Sequence, residues 1–178
     1  MKSRVLSLTV TALAGAALAV LAPLAIPLGI APVLLSLATP ALILTAGLLG
    51  SLRGAVATLV YLAVGALGLP VFSGFTGGFG VIVGPSGGFL LGYLPFVLTA
   101  GLTHRLPQRR FCLTAAPILL LAHLPLYLLG ALGFARVAGV GFLSALSASV
   151  LPFVLFDLIK LIIALGLLES LRRVMPKI

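Results

Sequence analysis

Long apolar runs, broken by short polar or glycine-rich connections, set the pattern of this chain. A run of about 20 apolar residues is what a helix needs to cross a bilayer. Six spans are predicted on that basis, over approximately 6–22, 33–50, 54–69, 86–103, 113–134 and 144–168. The whole chain, 1–178, then reads as a single membrane-embedded domain of the all-α class. Prolines 23, 27 and 32 predict a non-helical link after the first span. Spans two and three are expected to abut through a tight connection at Ser51-Leu52-Arg53. Pro95, Pro117, Pro125 and Pro152 fall inside or near later spans, where membrane helices tolerate them and often kink.

Composition agrees. Of 178 residues 62% are hydrophobic and 7% charged, and the mean hydropathy is +1.37. An ordinary soluble domain carries about a quarter charged residues and is excluded. The net charge of +9 would suggest nucleic acid in a soluble protein, but here the basic residues flank apolar runs and act as topology signals. Lys2 and Arg4 precede span one, Arg53 follows span two, Arg105, Arg109 and Arg110 follow span four, and Arg172, Arg173 and Lys177 follow span six. The alternate connections hold only Arg136, so both termini are expected in the cytoplasm of a plasma-membrane protein. Lys2 and Arg4 ahead of Leu6–Leu21 also fit a signal peptide, but the chain stays hydrophobic afterwards and a retained first helix is expected.

One connection differs from the rest. Gly68 to Gly88, between helices 3 and 4 and on the outer side, carries no charge, many glycines and three phenylalanines, Phe72, Phe75 and Phe79. Glycine lets the backbone approach a ligand closely, and flexible tethers are seldom aromatic. An ordered extracellular lid or re-entrant loop is expected, since non-helical backbone persists near membrane depth only under cover. It matches no phosphate-binding or dinucleotide pattern.

The chemistry concentrates at Asp157 and Lys160, three residues apart and the sole charges between Leu151 and Leu168. On a helix they share a face. Each costs about 2.5–3.5 kcal/mol at mid-bilayer on insertion scales, so a partner is required. That partner is either a polar ligand or simply the other member of the pair. His104 and His123 are isolated, and no cluster has metal-ligand spacing. His123 is expected to hydrogen-bond a neighbouring helix. A triad of Ser86, His123 and Asp157 lacks any supporting context. On span one, Ala12 with Ala16, or Gly15 with Ala19, would let another helix approach, either a partner's or one from the same bundle.

The strings Gly68-Leu69-Pro70-Val71-Phe72, Gly77-Gly78-Phe79-Gly80 and Gly84-Pro85-Ser86-Gly87-Gly88-Phe89-Leu90-Leu91-Gly92-Tyr93 resemble the BioY family. So does Asp157-Leu158-Ile159-Lys160. The resemblance implies a biotin-binding S component of an energy-coupling factor (ECF) transporter. It implies six helices, biotin held near the outer face, a transmembrane T subunit and two cytoplasmic ATPases as partners, and no enzymatic activity. A glutamine-containing stretch common in the family before span two is not recognisable, and Leu35-Ser36-Leu37-Ala38-Thr39 stands there.

Biotin presents two urea N–H donors, a urea carbonyl, an apolar bicycle and a carboxylate; it would be cargo, with no cofactor implied. Asp157 can accept N–H bonds, and Lys160 can donate to the urea or the carboxylate oxygen. Amides of Gly77, Gly78, Gly87 and Gly88 and the hydroxyls of Thr76 and Ser86 are candidates for further polar contacts. Phe75, Phe79, Phe89 and Tyr93 are candidates for apolar walls. Ala12 and Ala16 resemble a surface for the T subunit. The alternatives are an S component for another vitamin, an intramembrane enzyme using Asp157 as acid/base, and an assembly factor with no ligand.

Overall fold

The computed structural model describes residues 2–26 and 35–174, with backbone alone for residues 2–7. Pro27, Pro32, Lys177, positions 33–34 of the second predicted span, and the side chains of Lys2 and Arg4 lie outside the described residues. Helices α1 (Lys2–Leu21), α2 (Ala38–Leu49) and α3 (Ser51–Ala66) come first, then a short α4 (Phe79–Val83) and α5 (Gly87–Ala100). A 3₁₀ turn at Gly101–Arg105 leads to α6 (Phe111–Ala138), α7 (Phe142–Ser149) and α8 (Leu151–Val174). Between α1 and α2, strands β1 (Ala25–Ile26) and β2 (Leu35–Ser36) pair antiparallel, Ala25 opposite Ser36.

Helices α6 and α8, of 28 and 24 residues, are long and apolar enough to cross a membrane. At 1.5 Å per residue they reach about 42 and about 36 Å, against a hydrocarbon core of about 30 Å. Residues Leu8–Leu21 of α1, α2 and α3 are shorter apolar helices. The outward faces are greasy: Leu155, Ile162 and Ile163 of α8 are about 60% exposed (65%, 61% and 58%). The buried stripe of that helix is Phe153, Asp157, Leu161, Ala164, Leu165 and Leu168. A helix whose free side is hydrocarbon and whose inner stripe holds a carboxylate is built for a solvent of lipid.

Three boundaries differ from the sequence expectation. In the second predicted span, 33–50, Leu35–Ser36 pairs as strand β2 with Ala25–Ile26, so helix α2 starts only at Ala38. The α2–α3 link is a single residue, Gly50, at φ +81°. A left-handed glycine ends the first helix without a Cβ clash, so α3 already begins at Ser51 and Arg53 belongs to it. The sixth predicted span is two helices, broken at Val150 (φ −122°, ψ −55°). Pro152 has no N–H to continue α7 and instead sits in the first turn of α8, where the missing donor costs nothing.

Helices α5 and α6 make the tightest pair. A Cβ added at Gly88 would stand 2.1 Å from the Leu129 carbonyl oxygen, and one at Gly133 would stand 2.7 Å from the Gly88 Cα. Among residues 68–86, the Phe72 ring covers Gly65 and meets Tyr61 edge-on at 5.6 Å. The Gly78 N–H donates to the Gly65 carbonyl and the Gly74 N–H to the Pro23 carbonyl. The glycine-rich segment is thus fastened both to α3 and to the start of the α1–α2 connection.

At the opposite end of the bundle, Arg172 donates to the carbonyls of Thr103, His104 and Leu106 and lies 4.2 Å over the Phe111 ring. Glu169 accepts from the Cys112 thiol and pairs with Arg173. The basic loop after α5 is thereby tied to the end of α8, with Arg136 at the far end of α6.

Candidate functional site

The first turns of α8 place Asp157 on the inward stripe, 7% exposed, and helical spacing puts Lys160 beside it. The Lys160 Nζ lies 2.6 Å from Asp157 Oδ1. The ammonium also donates to the Ser36 carbonyl at 3.0 Å and to Thr39 Oγ1 at 3.2 Å. The other carboxylate oxygen, Oδ2, accepts the Tyr127 hydroxyl of α6 at 2.9 Å. The pair is therefore neither free nor closed on itself. It is a charged network joining α2, α6 and α8, and each charge has neutral partners as well as the other ion.

The start of α2 is shaped for this role. Ser36 Oγ donates to the Ala22 carbonyl and accepts the Ala38 N–H, so one hydroxyl both closes the β1–β2 end and opens the helix. That bond set fixes Ser36, whose own carbonyl meets Lys160.

A cavity of about 80 Å³ opens beside the network. Its polar lining includes Asp157, Lys160, Thr39, Tyr127, Thr76 and Ser86, and its apolar walls include Phe72, Phe89, Tyr93, Leu126 and Phe153. Of the residues expected from sequence, Asp157, Lys160, Thr76, Ser86, Phe89 and Tyr93 meet here. Gly77, Gly78, Phe79, Gly87 and Gly88 are not among its lining. Their local reasons are structural: a Cβ at Gly77 would strike the Leu69 carbonyl, one at Gly87 the Ile82 carbonyl, and Gly78 has φ +96°. Phe75 and Phe79 point outward, 63% and 66% exposed.

Ala12 and Ala16 are exposed, whereas Gly15 is buried against α3 at Ala57. The two small-residue pairs of α1 thus face different ways, one inward and one outward.

His123 does not reach a neighbouring helix through Nδ1, which bonds the Leu119 carbonyl of its own helix at 2.8 Å. Among the described residues no group of three metal-binding side chains occurs.

Sequence reasoning missed Tyr127, Ser36, Thr39 and Phe153. The signal for Tyr127 was present as a hydroxyl four residues after His123 on an otherwise apolar helix. Ser36 and Thr39 stood in the stretch that resembled nothing.

Comparison with known proteins gives one consistent result. The model of the BioY family matches residues 1–177. The biotin transporter BioY2 of Lactococcus lactis subsp. cremoris is 39% identical over 162 residues, covering 90% of this chain and 87% of that protein. The biotin transporter BioY of Rhodobacter capsulatus is 39% identical over 149 residues, 78% of each. Among solved structures, the S-component for biotin from an ECF-type ABC transporter superposes with a TM-score of 0.83 at 27% identity, over 97% of this chain and 93% of that one.

Proposed function

The chain belongs to the BioY family, and from that premise we propose that it is the biotin-binding S component of an ECF-type uptake transporter. Its relatives are transporters, so Asp157 is assigned to binding and not to acid/base catalysis. The chain acts as one membrane-embedded domain of six spans with both termini in the cytoplasm and the glycine-rich segment outside. Biotin enters from the outer side and is delivered inward with a T subunit and two ATPases. The outward Ala12–Ala16 face of α1 is the surface offered to the T subunit, because small residues let a second helix approach closely.

The observation that carries the reading is the Asp157–Lys160 pair on a cavity with mixed walls. Asp157 takes the urea N–H groups and Lys160 an oxygen of the ligand, with Thr76 and Ser86 as further polar contacts. Phe89, Tyr93 and Phe153 hold the bicycle. The remaining glycines of the 68–88 segment build the loop that carries Thr76 and Ser86.

Isothermal titration of the purified chain with biotin, alongside other small vitamins, tests this. Saturable binding of biotin, undisturbed by excess of the others, is expected. Preference for another vitamin would transfer the assignment to a different cargo, and heat-silent titrations with all of them would end it.

A further inference from the structure

Resting on the assignment of Asp157 as the ligand's acceptor, we propose that His123 is a positioning residue. Its Nε2 receives the Tyr127 hydroxyl when a ligand N–H takes over Asp157. His123 is 5% exposed in the interior of α6. Its Nδ1 lies 2.8 Å from the Leu119 carbonyl, an acceptor, so Nδ1 carries the ring proton and Nε2 of the neutral ring presents a bare lone pair. Among the described residues that lone pair has no hydrogen-bond partner. A buried acceptor left alone is costly and calls for a reason.

Tyr127 supplies one. It follows His123 by four residues, and helical side chains lean toward the N-terminus, so the phenol lies over the imidazole. The ring centroids are 5.6 Å apart. Phe96 also packs on the imidazole, its ring perpendicular to it at 5.0 Å between centroids.

The cavity forces the issue. At about 80 Å³ it is smaller than the roughly 300–1,000 Å³ usual for small-molecule sites. A guest the size of a vitamin must push the lining aside, and Tyr127 is part of that lining. Both Asp157 oxygens are engaged, one by Lys160 and one by Tyr127. Oδ2 keeps a second lone pair, but a cavity this small leaves a guest no room beside the phenol, so a ligand N–H that reaches Oδ2 displaces it. Without a second acceptor, that displaced hydroxyl would be stranded in an apolar interior. The bare Nε2 is the reserve acceptor that removes this penalty. The hydroxyl changes partner and no proton leaves its oxygen.

The test is nitrogen-15 NMR of the full-length chain in detergent, labelled at the histidine rings, with His104→Gln to remove the second signal. On saturation with biotin the Nε2 resonance of His123 should move upfield, as an unprotonated nitrogen accepting a hydrogen bond, and Tyr127→Phe should abolish the movement. His123→Phe should weaken biotin binding about tenfold, as expected for one unsatisfied buried hydroxyl. In a Tyr127→Phe background it should add nothing. An unmoved Nε2 signal with biotin demonstrably bound overturns this inference and leaves the biotin assignment standing. So does a shift that survives in Tyr127→Phe, because the donor to Nε2 would then be a group other than the Tyr127 hydroxyl. Absence of biotin binding by the unaltered chain overturns the assignment itself and this inference with it.

Discussion

Lys160 touches three oxygens from two helices and one strand end, while Asp157 touches an ammonium and a phenol. Deleting either ion would leave the other buried without its counter-ion and with neutral partners alone, a loss of about 3–5 kcal/mol in such settings. The neutral partners carry smaller shares. Thr39→Val removes one acceptor from a buried ammonium and should lower stability by about 1.5–3 kcal/mol, read by unfolding in detergent without ligand; an unchanged midpoint would show that the Thr39 bond is dispensable. The two charges were legible in the sequence because ions stranded in hydrocarbon are rare. The hydroxyls were not. Several hydroxyls of the described residues bond back to their own helix, as Thr58 does to Gly54, Thr99 to Pro95 and Ser149 to Ala145. A hydroxyl in an apolar run therefore gives no sign of which few, like Thr39 and Tyr127, reach across.

Among elements, the α5–α6 pair holds the back wall of the cavity, since Phe89, Leu90 and Tyr93 come from one helix and Leu126 and Tyr127 from the other. Gly88 permits that approach. Gly88→Ala sets a methyl against the backbone of Leu129 and should cost about 1–3 kcal/mol, because backbone cannot step aside as a flexible side chain can. A thermal unfolding midpoint equal to that of the unaltered chain would contradict the close packing. Hydropathy located these helices but not their ends. Gly50 and Val150 mark breaks that apolar runs conceal, because a helix can stop while the chain remains greasy. Gly77, Gly87 and Gly88 have the carbonyls of Leu69, Ile82 and Leu129 pressed against them, and Gly78 takes φ +96°, so each has a backbone reason to be glycine apart from any ligand. Sequence alone cannot separate a backbone close to a ligand from a backbone close to another backbone.

For the molecule as a whole, hydrocarbon outward and a charged network inward define its solvent. The basic loop after α5 is bound to the end of α8 through Arg172, so Arg105, Arg109 and Arg110 gather with Arg172 and Arg173 at one end. The proposed topology, argued from the positive-inside rule, predicts that this end faces the cytoplasm. Single cysteines introduced in a Cys112→Ala background should report it: one at Arg109 should be protected from an impermeant maleimide in intact cells, and one at Phe75 should be labelled. The reverse pattern would invert the chain and its direction of capture.

The most direct test is the equilibrium dissociation constant for biotin of the unaltered chain, Asp157→Ala and Lys160→Ala, each verified as folded. A desolvated, hydrogen-bonded charge is worth about 2–5 kcal/mol to binding, so each variant should lose at least tenfold in affinity. Full affinity in both would contradict the account, because biotin would then be held without the two ions at the centre of the site.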